Sequence, residues 1–423
     1  MTKQLHKRLS EGQVEFLLKK YQSGELKAKD ASAKMGIGRT RFYQLVKKLE
    51  EDGASFSLEY GRKHPNNRVN PNIEANILKE LNFEKKKIIS NPNVPTNRYN
   101  YSYIKNLLKA DYGQNVSVTT IINRAKKNGF HLGKPPKKKH DREVLTNFVG
   151  ELIQHDSSHH LFAPDSGIKW YLITSLDDHS RKILYADFWG KETSFAHILS
   201  VQNLVLKYGI PYSYYVDQHS IFRYVKDRDQ KSIWVNYSKF TDDIDPQWKM
   251  VLKELKIKPV YALSPQAKGK IERPYGWLQD HLVRTFVRKG ITDINEARKI
   301  LKEEVYQYNH KRVHSTTGEI PAIRFNRAIK EGKTLFQEFK LAPPYKSAKD
   351  IFCLRIIRKV DSYKNITFQN NTFNLPKTTT TNEVELRIYP TPKLTEIRFW
   401  DKEKNEFICS KTIESNKLST VHF

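Results

Sequence analysis

Cysteine is nearly missing: the chain of 423 residues has two, Cys353 and Cys409. Two thiols exclude a disulfide framework and any structural zinc site built on four sulfur ligands. Long apolar runs are missing as well. None approaches the roughly 18–20 residues that a membrane span needs, and the opening MTKQLHKRLSEGQ lacks the apolar centre of a signal peptide. The expectation is a soluble, cytoplasmic protein. No glycine signature of a P-loop or dinucleotide site occurs, and no nucleophilic serine or cysteine motif. Acids are in deficit: 46 Asp and Glu face 74 Lys and Arg, a formal charge of +28. With 38% hydrophobic and 12% aromatic residues, the chain holds enough apolar material for real cores, which excludes a disordered basic tail. At about 150 residues per domain the length suggests roughly three domains. The charge points to a polyanion, nucleic acid, with a basic housekeeping enzyme as the bland alternative.

Residues 1–55 read as short helices. Ser10 with Gln13 forms a capping box ahead of Val14, Phe16, Leu17, Leu18 and Tyr21, and Gly24 closes that helix. A second helix runs from about Lys27 to Met35, and Gly36-Ile37-Gly38 turns the chain into a third from about Arg39 to Glu51. Small residues Ala31, Ser32 and Ala33 allow a close crossing, and Ile37, Phe42, Leu45, Val46 and Leu49 recur at helical spacing. This is a helix-turn-helix pattern. Its polar face carries Arg39, Thr40, Arg41, Gln44, Lys47 and Lys48, side chains suited to phosphates and base edges. A plain three-helix bundle with a solvated basic face has the same pattern.

Residues 70–132 form a second helical block, with helices at about Asn72–Ile89, Tyr101–Tyr112 and Ser117–Asn128. In the last, Ser117 is the N-cap and Gly129 the stop; Thr119, Thr120, Asn123, Arg124 and Lys127 face outward as a second set of candidate DNA contacts. Residues 133–145, including GKPPKKKHDR, are a basic linker whose Lys137, Lys138 and Lys139 either follow a phosphate backbone or are simply solvated.

Beyond the linker, over 146–315, the pattern becomes three strands (Gly150–Asp156, Lys169–Leu176, Lys182–Phe188), a helix (Thr193–Tyr208), a strand (Tyr212–Asp217), a strand at Lys256–Tyr261 and two long helices. That is an α/β core with a mixed sheet. Residues 345–415 read as short strands with turns at Asn370-Asn371 and Lys404-Asn405, a small β-barrel or sandwich. The fold class expected is therefore multidomain α+β.

Chemistry is expected from carboxylates. Asp156 ends the first strand of the core, Asp217 ends the fourth, and Glu272 sits in the first turns of the helix opened by SPQAKGKIER. Groups at the carboxyl ends of strands converge on one crevice. Three carboxylates there need cations to neutralise them, and oxygen ligands suit Mg²⁺ or Mn²⁺. Two such ions about 3.5–4 Å apart suit displacement at a phosphodiester. Asp177 and Asp178, beside Ser180-Arg181, read as a structural turn pairing; Asp165 reads as a turn former; His155, His159 and His160 read as loop or DNA contacts. Lys268 and Lys270, neighbours of Glu272, either grip a substrate phosphate or are solvated.

HDSSHHLF, SLDDHSRKIL, YYVDQHS and SPQAKGKIERPYGWLQ together resemble the catalytic core of DDE transposases and retroviral-type integrases over about 145–325, nearest to bacterial insertion-sequence transposases of the ISNCY type. The resemblance implies a ribonuclease-H-like core, Asp156, Asp217 and Glu272 as the metal-binding triad with two Mg²⁺ or Mn²⁺ ions, and a C-terminal barrel that assists DNA binding or assembly. One departure is the 54 residues between Asp217 and Glu272, read as containing an insertion within 218–246. The implied partners are double-stranded element ends and target DNA, handled by at least a dimer. An inactive DNA-binding regulator and a metal-dependent nuclease that cuts without joining are the alternatives.

Overall fold

The computed structural model describes residues 5, 8–58, 69–133, 146–217, 221–222, 246–262 and 269–418, with the backbone alone for 269–274. The chain divides into two compact units, Met1–Glu74 and Ala75–Phe423.

The first unit holds α1 (Glu11–Gln22), α2 (Ala28–Met35) and α3 (Arg39–Asp52). The Ser10 hydroxyl accepts from the Gln13 backbone N–H at 3.3 Å, and the Gln13 side chain accepts from the Ser10 N–H at 2.9 Å, so two orphan donors are satisfied at once. Gly36 takes φ 62 between α2 and α3. A Cβ there would stand 2.6 Å from the Arg8 guanidinium, which donates to the Gly36 carbonyl at 3.1 Å. Val14, Leu18, Ala31, Met35, Phe42, Leu45 and Leu49 form the core, and each large apolar side chain buried contributes about 1.5–3 kcal/mol.

The division falls within α4 (Pro71–Phe83), which in the second unit runs on into a π-helical stretch, Glu84–Ile89, followed by α5 (Tyr101–Tyr112) and α6 (Val118–Lys127). Asn100 and Ser117 cap α5 and α6 through side-chain oxygens. Next comes a five-stranded sheet of β1 (Ile153–His160), β2 (Trp170–Asp177), β3 (Ile183–Trp189), β4 (Ser213–Val216) and β5 (Lys258–Tyr261), in the order β3-β2-β1-β4-β5. β1 to β3 are antiparallel, while β4 and β5 run parallel to β1 and to each other. One face packs on α7 (Ser194–Tyr208) and α8 (Gln247–Glu254) through Ile153, Val201, Tyr214 and Trp248. The other packs on α9 (Gly269–Lys289) and α10 (Ile294–Lys311) through Leu172, Phe188, Leu278 and Phe286. A short α11 (Pro321–Lys330) follows. The result is a mixed α+β fold around a mixed sheet.

Two boundaries differ from expectation. The first strand begins at Ile153 and runs on to His160, so Asp156 lies inside it rather than at its end. Gly150 is in a turn at φ 74, its N–H held by Asp177, and the antiparallel ladder with β2 carries the polar SSHH stretch past Asp156. The fourth strand stops at Val216, which leaves Asp217 just beyond it.

The C-terminal part comprises β6 (Leu354–Lys359), β7 (Asn365–Phe368), β8 (Asn371–Asn374), β9 (Glu383–Tyr389), β10 (Leu394–Asp401) and β11 (Glu406–Glu414). Four of these form an open antiparallel sheet ordered β11-β10-β9-β6, and β7-β8 is a separate ribbon. Closure into the expected barrel would require β6 to meet β11; both are edges among the described residues. The ribbon turns at Gln369 and Asn370, with φ of 48 and 59, one residue earlier than expected, because Asn371 already pairs with Phe368.

Candidate active site

The β1–β4 ladder pairs Ile153 with Tyr214 and Gln154 with Tyr215. Carried two residues further at the same offset, it sets Asp156 level with Asp217. Neighbouring strands are about 4.8 Å apart, and equal parity sends both side chains to one side of the sheet. Both residues are half-buried. Side chains alternate along β1, so Ile153 and His155 point to the α7–α8 layer and Asp156 and Ser158 to the α9 layer.

Two hydrogen bonds fix α9 on that side. The buried Tyr275 hydroxyl donates to the main-chain carbonyl of Asp156 at 2.5 Å, and Gln279 donates to the Ser158 hydroxyl at 2.6 Å. Burial, reinforced by the Asp156 charge, pushes the Tyr275 phenol well above its ordinary pKa, so it stays a neutral donor. Glu272 is in α9 three residues before Tyr275, about 4.5 Å along the axis. The register, extended, thus runs Asp156 and Asp217 along neighbouring segments, and α9, which carries Glu272 one turn before Tyr275, is held against β1 by Tyr275 and Gln279. The Glu272 side chain lies outside the described residues, which contain no group of three His, Cys, Asp or Glu spaced to hold a metal.

Rival acids are occupied structurally. Asp177 accepts from the N–H of Gly150 and from the N–H and hydroxyl of Ser180, at 2.8, 2.8 and 2.5 Å. Asp178 pairs with Arg181 at 2.7 Å and accepts from Gln154 and Thr146. His155 departs from its expected loop: it is fully buried in β1, joined to Ser175 at 2.9 Å and to His197 at 2.8 Å. His159 stacks on Tyr171 across the ladder at 4.1 Å.

Of the other candidate contacts, Arg39, Thr40, Arg41, Gln44 and Lys47 are all exposed along α3, with Arg41 donating to Gln44 at 3.2 Å. Thr119 and Asn123 are exposed on α6, Arg124 is half-buried, and the Thr120 hydroxyl is engaged with that of Ser117 at 2.8 Å. Lys137, Lys138, Lys139 and Lys268, and the side chain of Lys270, lie outside the described residues, as does nearly all of 218–246. Sequence reasoning missed Tyr275, whose signal was its place three residues after Glu272, on the same helix face.

No family model matches the chain. A putative transposase, y4bF, of Sinorhizobium fredii is 26% identical over 230 residues, 54% of this chain and 45% of the relative. The transposase for insertion sequence IS1202 of Streptococcus pneumoniae is 30% identical over 240 residues, 56% of this chain and 45% of the relative. This chain is transposase-like. It is similar to these two transposases over a little more than half of its own length, 54% and 56%. The transposase-like chain spans just under half the length of these two curated relatives. The solved catalytic core domain of BIV integrase aligns with 43% of it, covering 98% of that domain, at 17% identity and a TM-score of 0.31. No helix among the described residues is long and apolar enough to cross a membrane.

Proposed function

We propose that this chain is a DNA transposase that binds the ends of a mobile element, cuts a phosphodiester bond and joins the freed 3′-hydroxyl to target DNA. What supports the reading is the parallel register of β1 with β4, which carried past Tyr215 runs Asp156 toward Asp217 just beyond β4, together with the bond from Tyr275 on α9 to the Asp156 carbonyl. A ribonuclease-H-like core spans 146–315, and Glu272 completes the catalytic triad. Two half-buried carboxylates side by side repel, and their donor set of hard oxygens fits Mg²⁺ or Mn²⁺. Asp156, Asp217 and Glu272 would hold two such ions, which when bound activate an attacking oxygen and stabilise the leaving one.

The chain's own part is placement. Tyr275 and Gln279 hold α9 against β1, which sets the spacing of the acidic groups. Water opens one strand, and the resulting hydroxyl attacks the target, so no covalent protein–DNA intermediate forms. The helical segments 1–55 and 70–132 act as helix-turn-helix modules that read the element end, through Arg39, Thr40, Arg41, Gln44 and Lys47 in the first and Thr119, Thr120, Asn123 and Arg124 in the second. Lys137, Lys138, Lys139, Lys268 and Lys270 grip phosphates, and residues 345–415 assist assembly. The protein works in the bacterial cytoplasm as at least a dimer on DNA.

The test uses labelled end DNA and Mg²⁺. Asp156→Asn and Asp217→Asn abolish nicking and strand transfer while end binding stays within about twofold of wild type. Equal loss of binding would overturn the assignment. A wild-type chain that binds ends without nicking them is a regulator, and one that nicks without joining is a nuclease.

A further inference from the structure

Four cationic or titratable groups meet where the ends of α7 and α10 and the middle of α11 abut the start of β3. Lys182 is 9% exposed, yet its ammonium rests 4.1 Å from the Phe325 ring centre and 5.3 Å from that of Tyr208. Lys207 approaches the same Tyr208 ring at 5.2 Å, so two ammonium groups share one aromatic ring. The end of α10 is fixed to the same spot, because Asn309 both accepts from the Ile183 N–H and donates to its carbonyl, each at 2.9 Å. The next residue, His310, stacks on exposed Tyr306 at 4.6 Å, and Lys311 closes the helix.

These groups feel one another. Burial and then the charge of Lys207 lower the Lys182 pKa, and burial, Lys182 and Lys311 lower that of His310. Among the described residues no ion pair joins any of the four to a carboxylate. Nearby on α11 and just after it, Arg324, Arg327 and Lys333 are each paired with Glu319 or Glu331, so these neighbouring cations have carboxylate partners while the cluster's ammonium groups are in no such ion pair. Asp177 is close enough to act on Lys182, but it is buried and its oxygens are engaged by Gly150 and Ser180. On α10 the nearest acid along the His310 face is Glu303, two turns away, or about 10 Å. Cations crowded without counter-charge raise the energy of the free protein, and an anion that neutralises several at once recovers it.

The cluster is separate from the candidate active site. Asp156 is level with Thr174 on β2, and Thr174 with Ala186 on β3. Lys182 precedes Ala186 by four residues, about 13 Å along the strand.

We propose that exposed Lys207, His310 and Lys311, with buried Lys182 adding its charge behind them, form a second surface for duplex DNA, which holds the phosphate backbone away from the carboxylates. It rests on the reading of the chain as a DNA transposase and adds a sequence-independent grip to it, since lysines at phosphates position a duplex without reading bases.

The experiment uses the full chain carrying Asp156→Asn, so that binding is measured without cleavage, and a duplex of mixed sequence titrated with salt. Lys207→Gln with Lys311→Gln lowers the slope of log affinity against log salt by about two, since each phosphate contact contributes about 0.9. The same charge loss at exposed Lys299 and Lys302, near the other end of α10, leaves the slope within about half a unit of the parent. An unchanged slope in the first pair, or an equal fall in both pairs, overturns the proposal. So does a change of oligomeric state at constant slope, which would make the surface a contact between copies. Nicking by the wild-type chain is read separately, so loss of the transposase assignment and loss of the second surface are distinct results.

Discussion

Arg284 on α9 and Glu84 after α4, 200 positions apart in sequence, form an ion pair in which each side chain is 1% exposed. The Arg284 guanidinium also donates to Asp280 and to the Arg98 carbonyl, and one turn on, Arg288 pairs with buried Glu80. Burial lowers the Arg284 pKa to about 10. Tyr103 adds a hydroxyl contact to Thr285 at 3.1 Å. The helical block before the linker is thereby fastened to the helix that carries Glu272.

Arg284→Met tests that fastening. Removing one partner of a buried pair strands the other charge, and the loss is about 3–5 kcal/mol. The expected outcome in denaturant unfolding is a lower midpoint of that order. Adding Glu84→Leu to Arg284→Met restores part of the loss, because the fully buried carboxylate is gone while Asp280 keeps Asn100 and Thr96 as donors. A single variant as stable as wild type would show that the pair does not hold the two parts together.

Acid sensitivity has a defined source in the C-terminal sheet. Burial raises the Glu396 carboxyl pKa, but Lys349 at 2.6 Å and Arg398 at 2.8 Å outweigh it and pull the group below its ordinary 4.5. A folded-state pKa below the unfolded one means the contribution to stability is present in full above pH 4.5 and fades as pH falls through the lower, folded value. Glu396→Gln therefore lowers the unfolding midpoint at pH 7 and flattens its fall as the pH drops below 4.5. Parallel pH profiles for the two proteins would rule the group out as a source.

Much of this architecture was legible before any coordinates. Ser10 with Gln13, Ser117, Gly36 and Gly129 are local signals, and a cap or left-handed turn depends on residues only a few positions away. The sheet strands were legible from β-branched and aromatic runs, and the acidic turn at Asp177 and Asp178 from the Ser180-Arg181 that follows it. Three things were not. Whether β1 stops at Asp156 depends on a ladder to β2 that pairs residues up to 24 apart, and SSHH carries no β signal of its own. His155 looked like a polar loop residue because its partner His197 lies 42 positions on. Whether β6 meets β11 is set by the curvature of a whole sheet, a property no short pattern encodes. For the site, Asp156 and Asp217 were legible as acids near strand ends; their level register follows from the parallel pairing of β1 with β4.

Tyr275→Phe separates the position of α9 from the acids themselves. Phenylalanine keeps the buried ring and deletes only the hydroxyl that donates to Asp156, leaving a buried carbonyl one donor short, a loss of about 1–3 kcal/mol. In the active protein part of that loss falls on the geometry of the acidic groups, where about 1.4 kcal/mol is tenfold in rate. The expected outcome is a nicking rate about tenfold lower and a several-fold higher Mg²⁺ concentration for half-maximal rate, with end binding unchanged. The Mg²⁺ shift is the decisive reading, because general destabilisation lowers the amount of folded enzyme without changing the metal it requires. A variant with a lower rate at an unchanged Mg²⁺ requirement would reduce Tyr275 to a packing residue and leave the spacing of Asp156 and Glu272 to be set elsewhere on α9.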